Sequence, residues 1–403
     1  MNTLQLAWRY LKSRPLSTAL NALMLTLGFA AMAFVFSARD QIGQAFTRDL
    51  AGIDVVIGAK GSPLQLIMAG VFHLDVPPGN VLLSDVQALR EHPHVKQIIP
   101  LSLGDNLAGY RIVGTTHDYV THYGATIAQG RLWDHPLDAV LGAQVAHTTG
   151  LQLGQTFVGI HGLGAGGHAH DYAPYAVTGI LAPCGCVLDR LALTSTESVW
   201  KVHDDLHGYE EMTAAERADL QAEREITMAL VRYTTPLAAV TFPRFINSST
   251  PMQAAAPAQE ITRLLVLFSA ATQVLQGFGV VLLLMAGLSV FVALWSAVQE
   301  RQADLAMLRM LGASPRLTVS LLFSESLTLV LPTALAGVLL SQFLLLAMGF
   351  WLPPGAASLV QAWHWTPTLA WIAVTACVVA VLATALPAWR VWRLDVLTLL
   401  NRS

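Results

Sequence analysis

Four long apolar stretches dominate the hydrophobic pattern of this chain. The first runs from Pro15 to Ala38 without a charge. The second lies within Leu264 to Gln299, which has no charged residue over 36 positions. The third begins near Leu317 and runs to about Phe350, with Glu325 as its only charge, and the fourth is roughly Pro367 to Ala388. Each exceeds the ~20 residues that cross ~30 Å of hydrocarbon. Helices are the expected spanning elements, since only they satisfy a lone segment's backbone in lipid. The first stretch outlasts the ~7–15 residues of a signal h-region, and Ser37-Ala38-Arg39-Asp40 is a poor cleavage site, so it reads as a retained span.

Between the first two spans the pattern changes to short runs. Val55 to Ile57, Gln97 to Leu101, Arg111 to Val113, Phe157 to Ile160, Tyr175 to Leu181 and Ala229 to Tyr233 predict strands, bounded by turn residues. Ser84 to Glu91, Leu137 to Thr149 and Glu210 to Glu225 predict helices, the last with Thr213 and Glu216 spaced as a capping box. Gly162 to Gly167 reads as a glycine-rich loop and Pro243 to Pro257 as a polar linker into the second span. Leu4, Ala7, Trp8 and Leu11 share one face of a helix over Met1 to Ser13, which suits either the inner leaflet or a simple positive anchor. The expected fold is therefore an α-helical membrane protein with four transmembrane helices, one plus three. A large mixed α/β extracytoplasmic domain is inserted between helices 1 and 2. The boundaries fall at 1–40, 41–270 and 271–403.

Composition agrees. Of 403 residues 54% are hydrophobic and 12% charged, against about 25% charged in ordinary soluble domains. A net charge of -3 offers no basic excess for nucleic acid. Arg9, Lys12 and Arg14 precede span one, Arg301, Arg309 and Arg316 separate spans two and three, and Arg390, Arg393 and Arg402 follow span four. The stretch from Leu352 to Trp365 has neither Lys nor Arg. Both termini and the 300–316 insert are thus expected in the cytoplasm, with residues of about 40 to 270 outside. Trp351, Trp363, Trp365 and Trp371 mark the outer interface.

The insert Glu300 to Arg316 carries five charges in 17 residues. Glu300 to Leu311 favours helix, with Leu305, Leu308 and Leu311 on one side and Arg301 and Asp304 on a more polar one. Gly312 is a stop, and Ser314-Pro315 restarts a helix. A charged surface helix between two spans suits docking of a cytosolic partner. Glu300-Arg301, Asp304, Leu308-Arg309 and Gly312-Ala313-Ser314 resemble the signature of MacB/FtsX-type ABC permeases. Leu6 to Leu11, Glu325 and Gly337, and Pro387, Arg390, Arg393 and Asp395 are similar to that family's other landmarks. Asp304 for Glu, Ala306 for Gly and Val396 for Pro are departures.

The resemblance implies a coupling helix over 300–311, with Glu300, Arg301, Asp304, Leu308, Arg309 and Gly312 as the ATPase-coupling residues. It implies a dimer of ABC ATP-binding subunits, a second copy of the permease, and a bacterial inner membrane. ATP and Mg would sit in the partner subunit, because this sequence holds no G-x-x-x-x-G-K-[ST] loop. The chain itself is expected not to be an enzyme: Asp189, Arg190 and Glu197 supply charge without a nucleophile–base spacing. The leading function is conversion of ATP hydrolysis into motion of the periplasmic domain, for export, extraction or transfer of an envelope substrate. The alternative is an FtsX-like signalling mechanotransmitter that activates a periplasmic partner enzyme, and a periplasmic or lipoprotein partner fits either. Glu325, a carboxylate within a span, is a functional or packing candidate.

All 13 histidines fall in regions expected outside, twelve of them between His73 and His207. His161, His168, His170 and Asp171 surround the glycine loop, Cys184 and Cys186 follow, and His203 and His207 come soon after. Imidazole and thiolate suit Zn or Cu. The set His161, His168, His170, Asp171, Cys184 and Cys186 is therefore a candidate metal site. A solvated loop, or a disulfide between the two cysteines, is the competing reading. Asp54 to Ser62 followed by Phe72-His73-Leu74 resembles a subset of MacB-like permeases linked to metal-related transport.

Overall fold

The computed structural model describes residues 3–162, 167–203, 213, 222–300, 307, 310, 312, 314–352, 362, 363, 365 and 367–393. These fall into two compact units, one drawn from 1–42, 268–351 and 360–403, the other centred on 43–267.

Among the described residues the first unit holds helix α1 (Thr3–Ser13) and four helices long and apolar enough to cross a membrane. These are α2 (Pro15–Asp49), α9 (Pro257–Glu300), α10 (Pro315–Trp351) and α11 (Ala370–Trp392), the numbers between being kept for the helices of the second unit. Leu25, Phe29, Leu283, Val290, Val330, Ala376 and Ala380 form a shared core. Phe278, Leu284, Leu335 and Leu382 are exposed, a greasy outer surface suited to lipid. Small residues let backbones approach. A Cβ at Gly337 would lie 2.7 Å from Phe29 Cβ and 2.9 Å from the Thr26 carbonyl oxygen, so α10 and α2 meet only because that side chain is missing. In α1, Ala7 is buried and Leu11 packs on the helical core, while Trp8 is 53% exposed. The apolar face of α1 is therefore partly used against protein.

The second unit is mixed α/β. Its helices are α3 (Pro63–Gly70), α4 (Leu83–Ala88), α5 (His117–His122), α6 (Ala143–Thr149), α7 (Thr196–His203) and α8 (Ala238–Ser249). Its strands begin β1 (Val55–Ala59), β2 (Val81–Leu82), β3 (Val95–Leu107), β4 (Tyr110–Thr115), β5 (Ile127–Gly130), β6 (Asp138–Leu141) and β7 (Thr156–Phe157). They continue β8 (Ile160–His161), β9 (Tyr175–Leu181), β10 (Leu191–Ser195), β11 (Glu225–Ile226), β12 (Met228–Tyr233) and β13 (Met252–Ala255). Among the described residues one sheet runs β13-β1-β12-β3-β4-β10-β6-β9-β5, with β7 on β9 and β8 on β3, and β2 pairs β11 apart from it.

The 13-residue β3 joins two halves of this sheet. Its first part pairs β12 and its second part β4 and β8. Val55, Ile57, Phe242 and Ile246 fill the core of one half, and Ile112, Leu141, Tyr175 and Val202 that of the other. Strand β9 alternates buried and half-buried residues along its length, as its period-2 sequence requires.

Several expected elements differ. Leu137 to Thr149 is not one helix: Asp138–Leu141 is a strand and only Ala143–Thr149 is helical, closing on Gly150 at φ 70. Ala139, Val140 and Leu141 are buried between β10 and β9, and that central position overrides their helix propensity. The helix expected from Ser84 starts at Leu83, has no side-chain cap, and turns 3-10 over Leu89–Glu91. Pro243 to Pro257 is not a linker but the end of α8 followed by β13, because Phe242 and Ile246 are buried one turn apart. The run Phe157 to Ile160 splits into β7 and β8. The helix expected over Glu210 to Glu225 lies outside the described residues except at 213 and 222–225, where Glu225 belongs to β11.

Candidate functional site

The residue that organises the site is Asp105, in the second half of β3. Its register with β4 shifts between Leu103 and Asn106. A bulge of this kind re-aims a side chain. On the other side Asp105 pairs with His161 of β8. Asn106 Nδ2 donates to the carbonyls of Ile160 and Gly162, at 3.0 and 2.8 Å, and holds that short strand in place. An antiparallel bridge between Ile160 and Ala169 folds the chain back, and His170 N donates to Gly159 O. His203 arrives from the last turn of α7.

Four side chains converge there. Asp105 Oδ1 lies 3.4 Å from His161 Nδ1, 3.4 Å from His170 Nε2 and 3.3 Å from His203 Nε2. His203 Nε2 lies 3.3 Å from His161 Nδ1. One nitrogen or oxygen from each residue fits within 4.8 Å of all the others. Asp105 is buried, His170 half-buried, and His161 and His203 are open to solvent. The two open histidines line a cavity of about 360 Å³ with Asn80, Trp200 and Arg224 among its walls. A Cβ at Gly104 would stand 3.0 Å from the His203 ring, so a glycine in the bulge makes room for the imidazole.

Burial acts to raise the Asp105 pKa. The polar contact and charge of His203, with the charges of His170 and His161, outweigh it and hold the carboxyl below its ordinary range. The site is thus a carboxylate facing three imidazoles, a donor set for a borderline-soft cation.

Of the residues singled out from sequence, His161 and His170 belong to this cluster. His168 and Asp171 are exposed and stand outside it, although His168 O accepts from His161 N. Cys184 and Cys186 are joined by a disulfide, so neither offers a thiolate. The backbone N–H groups of Cys184 and Gly185 donate to the Asp189 carboxylate. Asp105 was invisible to motif reading, being 56 residues from His161. Its one trace is Gly104-Asp105-Asn106, which interrupts an apolar strand pattern.

A second polar group in this unit is buried. His73 Nε2 lies 2.9 Å from the Tyr119 hydroxyl, and both side chains are deep in the fold. Burial, then the charges of Arg111 and Arg190, lowers the His73 pKa well below its ordinary value. The unfolded chain therefore binds this proton more tightly than the folded one. The resulting stability is complete above the unfolded pKa of about 6.5 and declines as pH falls below it, by up to about 1.4 kcal/mol per pH unit. Thermal unfolding of the full chain between pH 7.5 and 5.5 should show the loss. His73→Gln should flatten the slope by about one proton, and an unchanged slope would remove His73 as its source.

In the helical unit, Glu300 closes α9 and is ion-paired with Arg14. Arg301, Asp304, Leu308 and Arg309 lie outside the described residues. Gly312 adopts φ +96, a left-handed conformation that suits a helix stop. Ser314 Oγ accepts from Leu317 N as α10 begins at Pro315, as the sequence predicts. Glu325 is buried and lines a small cavity with Tyr10, Arg14, Asn21 and Ser326.

Four apolar helices with a large α/β domain between the first and second define a multi-pass membrane protein. The family model for the MacB-like periplasmic core domain matches residues 18–240, and that for the FtsX-like permease C-terminal matches 277–396. The chain belongs to the MacB/FtsX-type ABC permeases. Its fold is similar to the periplasmic region of MacB from Actinobacillus actinomycetemcomitans, at 14% identity and TM-score 0.34, over 53% of this chain and 95% of that one. It is also similar to the extracellular domain of YknZ, a noncanonic ABC-type transporter from Gram-positive bacteria. There the identity is 11% and the TM-score 0.30, over 50% of this chain and 98% of that one. No curated protein matches the chain.

Proposed function

We propose that this chain is the permease subunit of an ABC system in a bacterial inner membrane, with both termini in the cytoplasm and the α/β domain outside. Two copies assemble with two separate ATP-binding subunits, which carry ATP and Mg and dock on the Glu300 to Leu311 segment. ATP-driven closure of that assembly moves the α/β domain, and this motion exports, extracts or transfers an envelope substrate.

The observation that carries this reading is the match of both family models, one on each side of the second span's start. The family supports it, since permeases of this kind work with ABC ATP-binding subunits. The Arg14 to Glu300 ion pair supports it as well. It ties the start of the docking segment to the residue before the first span. Chain passage into and out of the α/β domain lies within α2 and α9, and helices transmit displacement better than flexible linkers.

Purification of the tagged full chain from its native membrane tests the assembly. An ABC ATP-binding protein should co-purify at one copy per permease. A preparation containing the chain in a folded state and no ATP-binding protein would contradict the proposal.

A further inference from the structure

We propose that Asp105, His161, His170 and His203 form a Zn²⁺ site in the α/β domain. Four contacts between their ligand atoms measure 3.3, 3.3, 3.4 and 3.4 Å. A tetrahedral ion bound at about 2.0–2.1 Å places its ligands about 3.3–3.4 Å apart. Charge-assisted hydrogen bonds would instead draw such groups to about 2.7–2.9 Å.

Proton positions point the same way. His203 Nδ1 lies 2.8 Å from the Val199 carbonyl, which only accepts, so Nδ1 carries a proton, and in the neutral ring that binds a metal Nε2 presents its lone pair. The Tyr172 hydroxyl spends its one proton on the Val202 carbonyl. Its oxygen therefore accepts from His170 Nδ1, 3.1 Å away, and His170 Nε2 also presents a lone pair. Outer contacts of this kind orient the histidine ligands of metal sites. Two imidazole lone pairs thus face a carboxylate. Neither oxygen of Asp105 nor Nε2 of His170 makes a hydrogen bond of good geometry, although all three atoms are buried. Buried polar atoms left so ask for a partner, and one cation satisfies them together. His161 adds Nδ1 from the solvent side.

Three nitrogens and one oxygen exclude a Ca²⁺ or Mg²⁺ preference, since both ions favour oxygen shells of six or more. Four of the six ligand–ligand edges lie at the length a tetrahedral Zn²⁺ site requires, and all six stay within 4.8 Å. Four protein ligands close the coordination sphere, which suits a structural or sensing site rather than a hydrolytic one. The ion would tie the β3 bulge, the paired Ile160–His161 and Ala169–His170 segments and the end of α7 into one piece, and the cavity beside His161 and His203 gives it a way in. The site does not depend on the ATPase-coupling reading.

The test uses the full chain in detergent, stripped with a chelator and titrated with Zn²⁺ or with Co²⁺ as a spectroscopic stand-in. One ion per chain is expected, with the intense visible absorption of tetrahedral Co²⁺ and a higher unfolding temperature on loading. His170→Ala and His203→Ala should each weaken binding roughly a hundredfold or more. Asp105→Asn, which keeps the side-chain volume, should do the same while the far-ultraviolet circular dichroism stays native. His168→Ala should bind as wild type. Absence of binding in the wild-type chain, an octahedral Co²⁺ spectrum, or undiminished affinity in both His170→Ala and His203→Ala would overturn the site. So would equal loss in His168→Ala.

Discussion

Arg190→Ala is expected to destabilise the α/β domain by about 3–5 kcal/mol, the cost of leaving one charge of a buried pair uncompensated. Arg190 Nη2 donates to Asp49 Oδ2 at 2.9 Å, and the two side chains are 4% and 0% exposed. Arg48 also reaches Asp49, at 3.4 Å, but its side chain is 47% exposed. A contact so open to water replaces little of what Arg190 supplies. The Tyr123 hydroxyl donates to the Asp49 carbonyl at 2.8 Å, so the end of α2 is held by both main chain and side chain. At about 2–4 °C per kcal/mol for a domain of this size, the unfolding temperature should fall by roughly 6–20 °C. Thermal scans of the full chain read this directly. Asp49→Leu with Arg190→Met should recover much of the loss, because removing both charges also removes their desolvation cost. A single variant within about 1 °C of wild type would show that the pair is not a clamp.

Legibility in the sequence followed the physics of each element. The spans were readable because a bilayer demands long uncharged runs, and Pro15–Asp49 and Pro315–Trp351 answer that demand openly. Strand β9 was readable because one of its faces is buried more deeply than the other. Strand β6 was not, because Ala139, Val140 and Leu141 are all buried and show no alternation. Helix α8 was hidden by Pro243 and by the polar run from Asn247 to Thr250, which resembles a linker.

The metal cluster was half readable. His161 and His170 flank a glycine-rich sequence, and that clustering of imidazoles suggests ligation. Asp105 joins them only through the bulge in β3 and the pairing of β3 with β8, which no local spacing encodes. Cys184 and Cys186 follow the competing sequence reading: their nearness suggests ligands or a disulfide, and the turn closes them on each other. Ser314 and Gly312 were legible because caps and stops are local chemistry.

The largest functional effect is expected at Arg309, on the charged segment between the second and third spans. On the proposed function, this segment, with Glu300, Arg301, Asp304 and Leu308, seats in a groove of the ATP-binding subunit. Arg309→Glu changes the local charge by two, and like charges facing each other at an interface cost several kcal/mol. Docking would fail while the α/β domain, distant in sequence, keeps its unfolding temperature. The decisive measurement is ATP hydrolysis by the ATP-binding subunit reconstituted with wild-type or Arg309→Glu chains in lipid. A permease that couples through this segment gives stimulated hydrolysis with the wild type and only the rate of the isolated ATP-binding subunit with Arg309→Glu. Equal stimulation by both chains would contradict the coupling role.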